Sequence, residues 1–378
     1  MTALPTPNQP APPRTRARAQ SQFQVAWGQF RRNRLAATGG VFIILLYLLA
    51  IFAPFVAPDG LSNYSTTSIT RYHAPTPLHV RDPKTGIWGL YVEKFAQTMN
   101  PTTFLQEFRP TGEKCPIRWL VPGDTYRILG IAGNLHLFGT GNPDCKIFLW
   151  GAEGLGRDLF TRTIYASQIS LTIGVLSVFI STLIGMVMGS LAAYFRGWVD
   201  NVINRFIEVI SAIPGLFLLI LLRSLFPQGA NPILVLFLLL CILAFISWGD
   251  LARIIRSQLL SVREQDYVTA ANALGSSQGR IMFRHMLPSM TSYLIVTLSL
   301  AIPGTILLES GLSFLGIGAV EPYVSWGTLL NQTQDGGIAS ITDRPWMLIP
   351  GFFIVFTVMC YQLLGDGLRD AFDPRKRQ

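Results

Sequence analysis

Six long apolar runs constrain this chain more than any other feature of its sequence. They lie at roughly Leu35–Val56, Ile169–Tyr194, Phe206–Leu225, Ile233–Trp248, Ser292–Leu308 and Trp346–Leu364. About 20 apolar residues at ~1.5 Å each cross a ~30 Å hydrocarbon core, so the pattern predicts a polytopic, all-α membrane protein with six spans. Only 13% of the residues are charged, against about 25% in an ordinary soluble domain. The first run follows "RRNR", exceeds the ~7–15 residues of a signal-peptide core and precedes no Ala-x-Ala site. It reads as an uncleaved span.

With six spans the termini share a side, and the basic residues choose it. Arg14, Arg16, Arg18, Arg31, Arg32 and Arg34 precede the first span; Arg196 and Arg205 flank the second link. Arg253, Arg256, Arg263, Arg280 and Arg284 surround the fourth link, and Arg369, Arg375, Lys376 and Arg377 follow the last span. The short links of the other face carry Arg223 and Arg344. The positive-inside rule therefore puts both termini and the fourth link in the cytoplasm. The net charge of +9 is mostly topological, which removes the case for a nucleic-acid partner and leaves the bilayer.

The organisation that follows begins with a cytoplasmic tail and interfacial helix (1–34) and a first transmembrane helix (35–57). Then come an extracytoplasmic insert (58–163), a core holding spans two to six (164–368), and a C-terminal tail (369–378). The Pro-, Ala- and Arg-rich start to about Gln20 reads as disordered. Phe23, Trp27 and Phe30 then recur at helical spacing, as in a helix lying in the membrane interface. In the insert, "IRWLV", "YRILGIAG" and "KIFLW" predict short strands; the tract before them reads as a surface wrap. Cys115 and Cys145 fall on the oxidising side, as a disulfide or as two unpaired thiols. His73, His79 and His136 lack Cys or carboxylate neighbours at ligand spacing and read as surface residues without metal.

Three Ile-Pro-Gly triplets, at Pro214, Pro303 and Pro350, interrupt apolar runs. Proline removes a backbone donor and clashes with the preceding turn, and broken membrane helices persist where protein or a wet cavity surrounds them. Kinks around a pathway and ordinary helix packing are both open readings. Glu208 has Arg205 three residues before it, a spacing that pairs on a helix. Glu309, at the end of the fifth span, reads either as lining a path or as anchoring a helix end.

The fourth link, "DYVTAANALGSSQGRIMFRHMLPS", is too polar to span and yet helical. Tyr267, Ala271 and Leu274 recur at i, i+4, i+7; Gly275 suits a left-handed cap; Ser276 or Ser277 can cap a second helix. Ile281, Phe283 and Leu287 supply apolar contacts on that second helix, and Pro288 marks the return to the membrane. Residues 266–288 thus predict a helix–turn–helix elbow outside the bilayer; a plain amphipathic interfacial helix is the alternative.

The stretch "YVTAANALGSSQGRIMFRHMLP" closely resembles the cytoplasmic coupling motif of ABC-importer permeases, with Ala270-Ala271, Gly275, Ile281 and Leu287-Pro288 in place. The often acidic first position of that motif is Thr269 here. "QFRRNRLAATGG", "GLGRDLFTRTIYASQISLTIG", "ESGLSFLGIGAVEPYVSWGTLL" and "LLGDGLRDAFDPR" are similar to the C-type permease subunit of dipeptide/oligopeptide importers. The resemblance spans the chain apart from its start and much of Pro58–Phe148, an insert longer than in most members.

The resemblance implies a type I importer core, a second homologous permease, two ATP-binding subunits and an extracytoplasmic substrate-binding protein. The elbow (Tyr267, Ala270, Ala271, Gly275, Ile281, Leu287, Pro288) would dock in a cleft of the ATPase. Peptides are the family's default substrate, with nickel or another small solute as the alternative. "GSSQGR" lacks the lysine of a phosphate-binding loop, so ATP and Mg²⁺ belong to the partners and no cofactor or catalysis to this chain. A membrane-anchored enzyme or sensor would need a nucleophile–base or metal constellation in the insert, and the sequence offers none.

Overall fold

A computed structural model describes residues 22–61, 71–81, 88–99, 106–142, 144–226 and 229–373. The disordered tail expected before Gln20, with Arg14, Arg16 and Arg18, lies outside the described residues, as do Arg375, Lys376 and Arg377. The chain is mostly helical, with five helices long and apolar enough to span and a sixth candidate that is bent.

Helix α1 (Gln22–Arg32) stacks Trp27 on Phe30 and leads to α2 (Arg34–Ile51), whose first turn is capped by the Asn33 side chain accepting from Ala36 N at 3.2 Å. A short turn, α3 (Ala53–Val56), follows. Helix α4 (Leu159–Phe195) is 37 residues long. Its first residue, Leu159, lies before residue 164, where the expected core of spans two to six begins. Asp158 caps it, accepting from Thr161 N at 2.8 Å.

Helix α7 (Pro232–Arg263) runs parallel to α4, from Ile173 beside Leu239 to Tyr194 O accepting from Arg263 Nη1 at 2.9 Å. Small residues permit the approach: a Cβ on Gly189 would stand 2.5 Å from Ala252 O. Helices α10 (Thr291–Phe314) and α13 (Ile349–Phe372) complete the bundle. α2 lies antiparallel to α13, with Gly39 against Cys360 and Ala36 against Gly367.

The third apolar run is not one straight span. Gly197–Ala212 (α5) and Gly215–Ser224 (α6) meet at an 87° bend. Ile213, extended before Pro214 (φ −91°, ψ 125°), breaks the helix, as the clash of a proline ring with the preceding residue requires. Pro303 remains inside α10, whereas Pro350 occupies the first turn of α13, where a missing N–H has no helical partner to lose. The three triplets therefore act differently, and the third makes no kink.

The insert holds two antiparallel sheets. One has the order β1 (His79–Arg81), β2 (Trp88–Met99), β3 (Gln106–Pro116); the other pairs β4 (Arg118–Ile128) with β5 (Ile131–Gly139). Strands β2 and β3 fall in the tract read as a surface wrap, while "KIFLW" forms no strand. Its Ile147 and Phe148 are buried, so hydrophobicity there reflects packing of a loop. Cys115 and Cys145 form a disulfide, 30 residues apart in sequence, within a small core of Val92 and Ile147. Two of the three histidines are not surface residues, whereas His79 is half-exposed at the start of β1. His73 is buried among Phe95, Phe108 and Phe148, and His136 Nδ1 lies 2.6 Å from Ala57 O. Burial holds the His73 pKa below its ordinary value.

Candidate functional site

The elbow stands at the end of the bundle where α4 and α7 finish. Helix α8 (Asp266–Ala273) closes with Gly275 at φ +73°. Gly275 N donates to Asn272 O at 3.0 Å and Ser276 N to Ala271 O at 3.1 Å, the paired bonds that satisfy the last carbonyls of a helix ending in a left-handed residue. Gln278–Arg280 (α9) then begins a second helical stretch of changing pitch, a π-helix over Ile281–Met286 and a 3₁₀ turn over Leu287–Met290. Ser277 holds the capping position of α9, yet its side chain makes no cap hydrogen bond. The serine expected from the sequence thus holds the N-cap position of α9 without the side-chain bond, while the Gly275 and Ser276 amides close the end of α8.

The expected face at Tyr267, Ala271 and Leu274 splits. Ala271 is buried with Val268, while Tyr267 is 41% and Leu274 85% exposed. Ile281, Met286 and Leu287 join them beneath the elbow and pack on Leu251, Ile255 and Leu259 of α7 and Ala193 and Tyr194 of α4. At ~1.5–3 kcal/mol for each large apolar side chain removed from water, this seat fixes the elbow to two long helices. The outward side presents Tyr267, Ala270, Leu274, Gly275, Phe283 and Pro288, rimmed by Arg280 and Arg284. An alanine-sized group on Gly275 would meet nothing within 4 Å. The close-approach space beside Gly275 is thus left open by the chain itself.

The elbow's seat is braced by ion pairs. Asp200 of α5 receives Arg256 of α7 in a two-pronged contact at 2.5 Å on each prong, and Arg196 lies 3.6 Å from Glu264. Glu208 pairs with Arg205 at 2.7 Å on the exposed face of α5.

At the opposite end, a charge cluster that no sequence spacing announced ties the start of α4 to the loop after α10. Arg157 and Arg162 both grip Glu321 with two prongs, with nearest contacts of 2.8 and 2.7 Å. Arg157 Nε donates to Glu153, and Gln332 Nε2 donates to Glu153 at 2.6 Å. Glu153, Arg157 and Arg162 are buried. Burial pushes the Glu321 pKa up, but the hydrogen bonds and charge of Arg162 and Arg157 outweigh it and hold the carboxyl below its ordinary value. The cluster is neutral in sum, which is how buried charge is tolerated. Arg157, Arg162 and Glu321 fall in two of the stretches that carry the permease resemblance, with Glu153 and Gln332 just outside them; nothing in the spacing of either shows that they meet.

The other residues singled out in the sequence occupy separate places. Pro214 is exposed at the α5–α6 break, and Pro303 is buried within α10. Glu309 is fully buried and accepts from Ser313 Oγ at 2.7 Å and Ser170 Oγ at 3.3 Å. Ser170 Oγ in turn accepts from Trp326 N at 3.1 Å, so the carboxylate anchors α4 and α11 (Trp326–Asn331) to α10. Among the described residues no group of His, Cys, Asp and Glu is arranged to hold a metal ion.

The chain matches the family described as binding-protein-dependent transport system inner membrane component over residues 181–378, and the N-terminal transmembrane domain of oligopeptide transport permease C over residues 21–75. It is 41% identical over 229 residues to the oligopeptide transport system permease protein OppC of Haemophilus influenzae, covering 60% of this chain and 70% of that one. It is 30% identical over 360 residues to the dipeptide transport system permease protein DppC of Bacillus subtilis, covering 95% of this chain and 87% of that one. The inward-facing methionine ABC transporter MetNI aligns at 17% identity and a TM-score of 0.44 over 55% of this chain and 95% of that one, a likeness too weak to carry an argument.

Proposed function

Since the chain belongs to the binding-protein-dependent transport inner membrane component family, as its oligopeptide/dipeptide permease C-type subunit, we propose that it couples ATP hydrolysis by partner subunits to peptide uptake through the elbow at 266–288. The observation that carries this reading is the elbow's two-sidedness. One side is packed onto α4 and α7; the other leaves Tyr267, Leu274 and Phe283 exposed around an open Gly275. An apolar surface with a basic rim, held on rigid helices, suits a protein groove better than water.

The machine in this reading has two ATP-binding subunits, a second homologous permease and an extracytoplasmic binding protein that delivers di- or oligopeptides. ATP and Mg²⁺ sit on the ATPases, and this chain performs no catalysis. Both termini and the elbow are cytoplasmic, and the insert at the other end forms part of the docking surface for the binding protein or covers the outer mouth. Six spans result if α5 and α6 count as one broken crossing. Nucleotide can shift the inward–outward equilibrium only through different affinities for the two states. The elbow transmits that difference because α7 passes it to α4 across backbones in contact at Gly185 and Gly189.

Co-purification of the full chain with its neighbouring subunits tests the assignment. Leu274→Asp places a charge in the docking surface and should lower recovery of the ATPase about tenfold, as losing ~1.4 kcal/mol at an interface does. Recovery of the second permease should stay unchanged. Undiminished ATPase recovery would remove the elbow from the interface.

A further inference from the structure

The β4–β5 hairpin of the insert does not lie where a water-facing appendage would. Its middle is held at the level of the α2–α3 exit: His136 Nδ1 is 2.6 Å from Ala57 O, and Gly60 N donates to Asp124 Oδ2 at 3.0 Å. Towards the tip its neighbours change in one direction. Ile128 and Leu129 share a groove with Tyr47 and Ile51 of α2 and with Gln168 and Leu171 of α4. The tip therefore descends alongside two membrane spans, to the level of a residue four positions inside the end of α2. That is about 6 Å along the helix axis.

The tip has the wrong chemistry for water and the right one for lipid. Leu129 and Ile131 are 87% and 76% exposed, the first being the most exposed large apolar side chain among the described residues. Leu129 and Gly130 form the two-residue turn with φ +48° and +88°, a geometry that favours Asn-Gly and strains a leucine. Backbone preference and hydration both oppose leucine at this position. Arg127 flanks the tip and is exposed, at the place where an apolar segment entering a bilayer meets phosphate groups. The apolar surface continues onto the exposed Ile51 and Phe52 at the end of α2.

We propose that residues 127–131 form a membrane-dipping hairpin whose Leu129 and Ile131 insert into the outer leaflet beside α2, with Arg127 at the headgroups. The insert would then be pinned to the membrane surface at a second place besides its covalent junctions with α3 and α4. This proposal depends on α2 and α4 being spans and not on what is transported.

Site-directed spin labelling of the full chain, with its co-purifying subunits, in nanodiscs of phosphatidylethanolamine and phosphatidylglycerol tests it. Labels go on Leu129→Cys or Ile131→Cys, with Cys241→Ala and Cys360→Ala removing the free thiols and Cys115–Cys145 left bridged. Both tip labels should collide more with oxygen than with a water-soluble nickel chelate. A label at Arg118→Cys, about 30 Å away along the strand, should show the reverse. Leu129→Asn restores the preferred turn sequence and keeps the hairpin, and it should shift the label at 131 towards the aqueous reagent. Tip labels open to the nickel chelate would overturn the proposal in favour of water, and labels shielded from both reagents would overturn it in favour of a protein partner.

Discussion

At the scale of single residues, charges and glycines take roles that differ from what their types suggest. Glu321 is half-exposed, yet two guanidiniums hold its carboxyl below the ordinary value. A depressed carboxyl contributes stability that is present above the unfolded carboxylate range, about pH 4.3, and lost as pH falls through the folded value. Thermal unfolding in detergent should therefore show a Tm that drops as pH falls from about 5 to below the ordinary carboxylate range. Glu321→Gln should begin a few degrees lower at pH 7 and show a shallower acid drop; an unchanged pH profile would mean that the clasp contributes nothing. This cluster was not legible in the sequence, because Arg157 and Arg162 stand about 160 positions before Glu321 and no periodicity links them. Gly275 was legible, since a left-handed cap between two helical patterns has few other occupants. His73 and His136 were misread for a related reason: polarity says that a side chain wants a partner, not whether that partner is water or a buried carbonyl.

Among elements, helix spacing depends on a few glycines. A Cβ on Gly189 would meet Ala252 O at 2.5 Å, whereas one on Gly304 would meet nothing within 4 Å. Gly189→Leu should accordingly force α4 from α7 and cost about 1–3 kcal/mol or more by overpacking, read as loss of the monodisperse peak in size-exclusion chromatography. Gly304→Leu should leave the chain's own fold intact; equal behaviour of the two variants would contradict the close packing. The spans were visible because a run of apolar residues in lipid has one main solution, the helix. Strands β2 and β3 were not, since their Glu, Lys, Thr and Pro residues break the alternation, and the cross-strand register Tyr91↔Pro116 to Met99↔Gln106 comes from backbone pairing. The α5–α6 bend sits at Pro214 as the triplet indicated, but its size of 87° depends on where α6 packs, with Leu219 against Ile173 and Leu312.

For the whole molecule, the proposed coupling requires one end of a five- or six-span bundle to receive force from an ATPase and the other to meet solute delivered from outside. The long, parallel α4 and α7 join the elbow to the charge cluster's end of the bundle, so a displacement of α8 need not be absorbed locally. The most direct measurement compares ATP hydrolysis with peptide uptake in proteoliposomes holding the assembled complex, wild type against Gly275→Asp. Aspartate tolerates the left-handed backbone better than most residues, and the space around Gly275 within this chain is open, so the variant should fold and reach the membrane. Uptake should fall at least about tenfold while hydrolysis persists, a loss of ~1.4 kcal/mol or more in coupling. Uptake at the wild-type rate with the variant properly assembled would contradict the proposed coupling.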